Sequence, residues 1–438
     1  MTVSRTKGVI SRRTLLKTGT AAFGGTALTG LAAPVLAQST DELTVMIAQP
    51  HVGGAEIAAR TFKEKTGVTV NIDAVPMGAM YQQVALDQQS GANRYDVYQN
   101  WYCTIGALAA NGLAVDITDM IERDKAEVQP DDFIQNVYDA YSLYEDRRYA
   151  LPYDADNHAL YYNKELLDRL GADLPKTWDD LNALAEQATS ELSSEGIHGH
   201  SLMGMPVPLL NVSTFANRVA NFGANFLDAE GRPALNTPEM LAVAENYTAM
   251  SPHASPTPPE IGYAEGLALF LGGRVVTKEG WMDLALNAAQ DTDSAVKDRW
   301  GVVPLPTTSG NAADSRAALN AGFGVCLSPQ SQKQEIAWEF IKWISGVEMC
   351  LTMSATNGTG IDPFRTSTIQ NATYQTAAPQ THEIIGDALA NAMAWPTGPD
   401  APQLLEILSR DLATMLAGQK SPEDTMNGVQ RAWERILR

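Results

Sequence analysis

The chain has 438 residues, enough for two domains or so at roughly 100–200 residues each. Its 45% hydrophobic and 19% charged residues exclude a disordered or low-complexity chain. A formal net charge of −20, with no basic stripe, excludes an electrostatic footprint for nucleic acid or anionic lipid.

Residues 1–37 read as an export signal. "SRRTLLK" places Arg12 and Arg13 ahead of a weakly apolar stretch that ends in Val35-Leu36-Ala37, a small-x-small cleavage pattern. This looks like a twin-arginine signal, which implies the twin-arginine export machinery as a partner and the periplasm as destination. Gly24, Gly25 and several threonines weaken the stretch as a membrane span, and no cysteine offers a lipid anchor. Removal of this segment takes away five basic residues and no acid, so the net charge becomes −25. Cys103, Cys326 and Cys350 are too few for a disulfide framework, and twin-arginine cargo folds where thiols are reduced, so no bridge is expected.

After the signal, "ELTVMIA" (42–48) reads as a buried strand. "GAEIAARTFKEKTG" has helical spacing and stops at Gly67. "VTVNIDAV" alternates as a strand, "YQQVALDQQSGAN" is helical, and "YDVYQNW" is the next strand. The β-α-β-α-β opening predicts an α/β fold with mostly parallel sheets flanked by helices. Further on, Thr177 and Asp180 make a capping box. At the C-terminus Ser421 caps a helix whose Met426, Val429, Trp433 and Ile436 form one apolar stripe. The stretches 251–260 and 305–319 read as surface connections, the first because of its prolines.

Six blocks together resemble the family 1 extracellular solute-binding proteins, which include the maltose-binding proteins of ABC importers. They are "YDVYQNWYCTIGALAANGLAVDITDMI", "YALPYDADNHALYYNKELLDRLGADLPKTWDDL", "FLGGRVVTKEGWMD", "WGVVPLP", "GVCLSPQSQKQEIAWEFIKWIS" and "NGTGIDPFRTS", in the family's order and over most of the chain after residue 37. Arg274 departs from the lysine more usual after the glycine of the third block. The resemblance implies two α/β lobes joined by a multi-strand hinge, a monomer, and an ABC permease as membrane partner. Residues 38–150 plus 318–358 are then expected in the first lobe, and 151–317 plus 359–438 in the second. Crossings are expected near 148–154, 316–324 and 358–362. The ligand would lie between the lobes, which close over it.

The candidate ligand residues follow. Asp154, Asp156 and His158 alternate ahead of a buried strand, and a carboxylate accepts two hydroxyls of a sugar or polyol at once. Trp281, in "KEGWMD", stands at the family's cleft tryptophan, with Asp283 two residues on. Indole offers a flat apolar face to a sugar ring. Trp101 ends a strand, with Asn100 before it, and Trp395 is a further aromatic candidate. His51 follows the first strand, Asn320 lies at the second crossing, and Asn357 and Arg365 flank the third. Arg365 would either pair an acidic ligand or bridge an acid of its own lobe. The solvated hinge and the packed core are the ordinary alternatives for the acids and the tryptophans.

An enzyme is not expected. Asp154 and Asp156 are too close in sequence to flank a bond from opposite sides, and the chain has no Gly-x-Ser-x-Gly, His-Glu-x-x-His or Walker motif. No cofactor and no metal are expected. His198 and His200 lack a third ligand nearby, and Tyr161-Tyr162 reads as strand packing before it reads as an iron site. The expectation is therefore capture of a sugar, polyol or small sugar derivative. A ferric-iron clamp, a polyamine clamp and a secreted glycoside hydrolase are the alternatives.

Overall fold

Three strands open the structure: β1 (Glu42–Ala48), β2 (Thr69–Val75) and β3 (Val97–Trp101). They pair in parallel, with β1 between the other two. Parallel strands need crossovers, and the helices Val52–Thr66 and Met80–Gln89 supply them. The first helix stops because Gly67 takes a left-handed conformation, φ 81°, at its C-terminal end. A computed structural model describes residues 42–438; the export signal expected in residues 1–37 lies outside the described residues.

A two-residue hairpin, β4 (Leu143–Tyr144) and β5 (Arg147–Arg148), precedes β6 (Leu151–Asp154) and β7 (His158–Asn163). Next come β8 (His198–Ser201), β9 (Val275–Trp281), β10 (Trp300–Val303) and β11 (Phe323–Leu327). Two main sheets result. One has the order β2-β1-β3-β11-β6, the other β10-β7-β9-β8.

The sheets are mixed where mostly parallel ones were expected. β11 runs antiparallel to both β3 and β6, and β7 runs antiparallel to β9 and β10. The cause is the return of the chain through the junction between the sheets, which brings β11 back in the opposite direction. The expected lobe boundary at residue 150 also shifts. β6 belongs to the first sheet, with Leu151 and Tyr153 completely buried there, and the chain changes sheet only after Asp154. Asn157 bridges Leu319, and Ala318 bridges Met393, so three segments meet at this junction. The 305–319 stretch is accordingly exposed only in part, since Ala317–Leu319 are buried within that meeting point.

Capping follows the expectation. Thr177 and Asp180 form a reciprocal capping box on the helix Trp178–Leu192. Ser421 Oγ accepts from the Asp424 N–H, and Met426, Val429 and Trp433 are buried beneath the last helix. Among the described residues no helix is long and apolar enough to cross a membrane. Cys103, Cys326 and Cys350 are buried and free.

Candidate functional site

The strand ends of both sheets converge on one cavity. In the first sheet β1 runs on to Pro50 and His51, β2 to Met77, and β6 to Asp156. The antiparallel β11 begins at the same edge with Phe323. From the second sheet β9 delivers Trp281 and then Asp283. Tyr263, at the start of the helix Tyr263–Leu271, Ala321 and Gly360 complete the lining. Ligands of open α/β sheets lie beyond the carboxyl ends of the strands, and this cavity lies there for both sheets. Its empty volume, open mouth included, is about 330 Å³.

Each wall is held from behind. Trp281 Nε1 donates to the Asn320 carbonyl at 3.2 Å, and its ring meets His158 edge-on at 4.5 Å and Tyr263 at 5.6 Å. Asn320 Nδ2 donates to Asn217 Oδ1 at 2.7 Å, which ties the junction to the helix Ser213–Asn221. Gly322 takes φ 47°, and a Cβ there would sit 1.8 Å from the Tyr141 hydroxyl, so only glycine fits. The Gly322 N–H donates to Asp156 Oδ2 at 3.0 Å. Ala321, beside it, also has a positive φ of 66°, a strain of about 1–2 kcal/mol at the cavity wall.

Four carboxyls gather around this space. Asp156 and Asp283 line it; Asp154 and Asp362 stand behind, both buried. The Asp362 N–H donates to Asp154 Oδ1 at 2.6 Å, and Asp362 Oδ2 accepts from the Met282 N–H at 3.0 Å. Tyr263 donates to Asp283 Oδ2 at 3.2 Å. Burial, with mutual repulsion second, pushes the pKa values of Asp154, Asp156 and Asp362 well above the carboxylate range. Burial also raises Asp283.

His51 stays neutral, its pKa lowered to about 4 by burial. The Ala48 N–H donates to Gln99 Oε1 at 2.8 Å, which turns the Gln99 amide nitrogen towards His51 Nδ1. The ring proton is thereby assigned to Nε2, 3.4 Å from Asp154 Oδ2.

A family profile for the bacterial extracellular solute-binding proteins matches residues 46–349. The chain belongs to this family. Among curated relatives of this solute-binding protein, the "Probable amino-acid ABC transporter periplasmic-binding protein" of Sinorhizobium fredii is 22% identical, over 87% of this chain and 85% of its own. The mannitol-binding protein of Pseudomonas aeruginosa is 23% identical, over 80% of this chain and 79% of its own. A ribitol-bound ABC transporter solute-binding protein of Agrobacterium radiobacter K84 has the same two-lobed fold, with a TM-score of 0.82, 23% identity, and coverage of 90% and 98%.

Of the residues singled out in the sequence, the solute-binding protein brings His51, Asp156, Trp281 and Asp283 to the cavity wall. Asp154 lies directly behind, and Asn320 anchors Trp281. The others lie elsewhere. His158 accepts from Asn217 Nδ2 at 2.9 Å and borders a different cleft, with Leu305, Ser315 and Asp387. Burial lowers its pKa to about 3. Trp101 and Trp395 pack edge to face at 5.8 Å, away from the cavity. Asn100 is occupied within the first sheet by the Trp101 carbonyl and the Cys326 thiol. Asn357 is half-buried and off the cavity wall; Gly360, three residues on, lines it instead.

Of the two roles expected for Arg365, it takes the bridge to an acid of the protein, though that acid, Asp132, lies in the stretch expected in the first lobe. Its guanidinium donates to the carbonyls of Ser345, Val128 and Gln129 and to Asp132, and it stacks 3.9 Å over Phe133. The segment around it, expected in the second lobe, therefore packs on residues 128–133 of the first.

Tyr161 and Tyr162 point to opposite faces of β7, as strand neighbours must, and share no ligand position. His200 hydrogen-bonds Thr277 inside the second sheet. The sequence reading missed Met77, Tyr263, Phe323 and Asp362. Asp362 carried a signal, because it stands at the end of the third expected crossing; Tyr263, at an ordinary helix start, carried none.

Proposed function

We propose that this solute-binding protein captures a sugar, polyol or small sugar derivative between its two lobes and delivers it to an ABC permease. One lobe is built on the five-stranded sheet and the other on the four-stranded sheet. The cavity carries the reading, because an indole face, Trp281, stands beside two hydrogen-bonding carboxyls, Asp156 and Asp283, where both sheets end. Aromatic faces suit the C–H surface of a sugar, and carboxyls suit its hydroxyls. The ribitol and mannitol named for two of the proteins above support the same class.

The work is capture without catalysis. Ligand prefers the closed form and shifts the population towards it, which presents both lobes to the permease. Export by the twin-arginine route, removal of residues 1–37, a periplasmic location and a monomeric state complete the proposal. A thermal-shift scan over neutral sugars, polyols, sugar acids, polyamines and ferric iron, with and without chelator, tests it. A chelator-independent rise with one carbohydrate class, without turnover of that compound, is expected. A rise that chelator abolishes, or hydrolysis of the compound, would overturn it.

A further inference from the structure

We propose that the ligand carries a protonated amine, seated at Asp156 and Asp283 against the faces of Trp281 and Tyr263, and so is an amino sugar or amino polyol. The inference rests on the carbohydrate reading above and narrows it.

The first argument is how the same chain treats a buried acid elsewhere. Glu279, on β9 one turn of the pleat from Trp281, is completely buried. It is fully compensated: Arg218 Nη1 donates to it at 2.8 Å, Asn217 Nδ2 at 2.6 Å, and His200 Nε2 lies at 3.4 Å. Its carboxyl is held well below the usual range, chiefly by the Arg218 charge acting against burial. At Glu279 the chain supplies a cation to a buried acid; at Asp96 it supplies only the Thr44 N–H and the Ser331 hydroxyl.

The cavity acids have no such partner. Among the described residues, Asp156, Asp283 and Asp362 form no ion pair, and Asp154 meets neutral His51, the Asp362 N–H and the Asp156 carboxyl but no cation. Asp154 is completely buried, and its Oδ2 takes no hydrogen bond. The nearest buried cation is Lys278, which projects from β9 on the face opposite Glu279, beneath Gly266, and does not line the cavity. Its Nζ has no hydrogen-bond partner, and burial lowers its pKa to about 8. One weakened cation stands against four carboxyls.

Burial favours the protonated form of these acids while the site is empty, and neutral hydroxyls would leave them so. An ammonium would let Asp156 and Asp283 ionise as it binds, since each of its N–H groups donates and its charge offsets a carboxylate in a site with little water. Trp281, Tyr263 and Phe323 turn aromatic surface to the same space, and aromatic faces attract cations. Trp281 Nε1 is tied to Asn320, so its ring is fixed before ligand arrives.

The test is calorimetric titration of the purified protein with matched pairs: glucose and glucosamine, sorbitol and aminodeoxysorbitol, with putrescine as a bare diamine. At least one amine is expected to bind tenfold or more tighter than its hydroxyl twin. Asp283→Asn, isosteric and checked for folding by melting, is expected to weaken the amine at least tenfold more than the twin; Asp156→Asn repeats the test from the other carboxyl. Hydroxyl twins that bind as well as the amines would overturn the amine and leave the carbohydrate reading intact. Putrescine binding with no carbohydrate of either kind would keep the charge assignment and sink the carbohydrate reading. No binding by any amine overturns the inference.

Discussion

Trp281 is the residue on which the cavity turns. It closes β9, hydrogen-bonds the junction through Asn320 and packs on His158 and Tyr263. Trp281→Ala removes a face of the ligand site while the sheet register is held by the other β9 pairs. Affinity in that variant is expected to fall well over tenfold, measured by titration, with a cooperative melt retained.

Asp283 makes a second prediction at this scale. Burial raises its pKa, so the folded state holds its proton more readily than the unfolded chain does. The stability it contributes is complete below the ordinary carboxylate range and is lost as pH rises through the raised value. Asp283→Asn escapes that loss. The ligand-free variant is expected to be more stable than the parent at pH 8 and to lose the advantage near pH 4, as denaturant unfolding at the two pH values would show. A functional carboxyl that destabilises its own fold is the usual pattern of a binding site.

These residues were unequally visible before folding. Trp281 and Asp156 sit in blocks whose order points to a cleft. Arg365 sits in such a block too, yet it caps carbonyls of residues 128–129 and 345, more than two hundred positions away at one end. Which way a side chain turns at a crossing depends on what the other segments bring, and no local pattern encodes that.

At the scale of elements, the opening β-α-β-α-β was legible because strand and helix periods differ and Gly67 ends the first helix. The Thr177–Asp180 capping box and the Ser421 cap were legible because each is a local pattern. The antiparallel return of β11 was not, because pairing partners far apart in the chain leave no periodic trace. The β9 strand carries alternating duties. Thr277 and Glu279 face the Arg218 network, and Lys278 faces the helix above. Arg218→Met would leave Glu279 buried without its cation, at a cost of about 3–5 kcal/mol in urea unfolding. Loss of under 1 kcal/mol would mean that Asn217 and His200 compensate it alone.

For the whole molecule, the junction joins two sheets whose strand ends share one small cavity. Ala321 and Gly322 hold left-handed conformations in the returning segment, and Asp156 is pinned to Gly322. Movement at the junction and the shape of the cavity are therefore linked through the same few residues. Replacement of Gly322 by Ala drives a Cβ into Tyr141 and is expected to cost more than about 2 kcal/mol and to weaken ligand binding together with it. Normal affinity in a stable Gly322→Ala protein would show that the junction and the cavity are independent.

The measurement that bears most directly on capture between the sheets is a melting scan of the parent and Trp281→Ala against one panel of sugars, polyols and their amino derivatives. Ligand at ~100 times its Kd adds about 2.7 kcal/mol of stability, a rise of a few degrees for a chain of this size. The account predicts such a rise with one carbohydrate class in the parent and its loss in Trp281→Ala. The same rise in both proteins, or none with any carbohydrate, would contradict it.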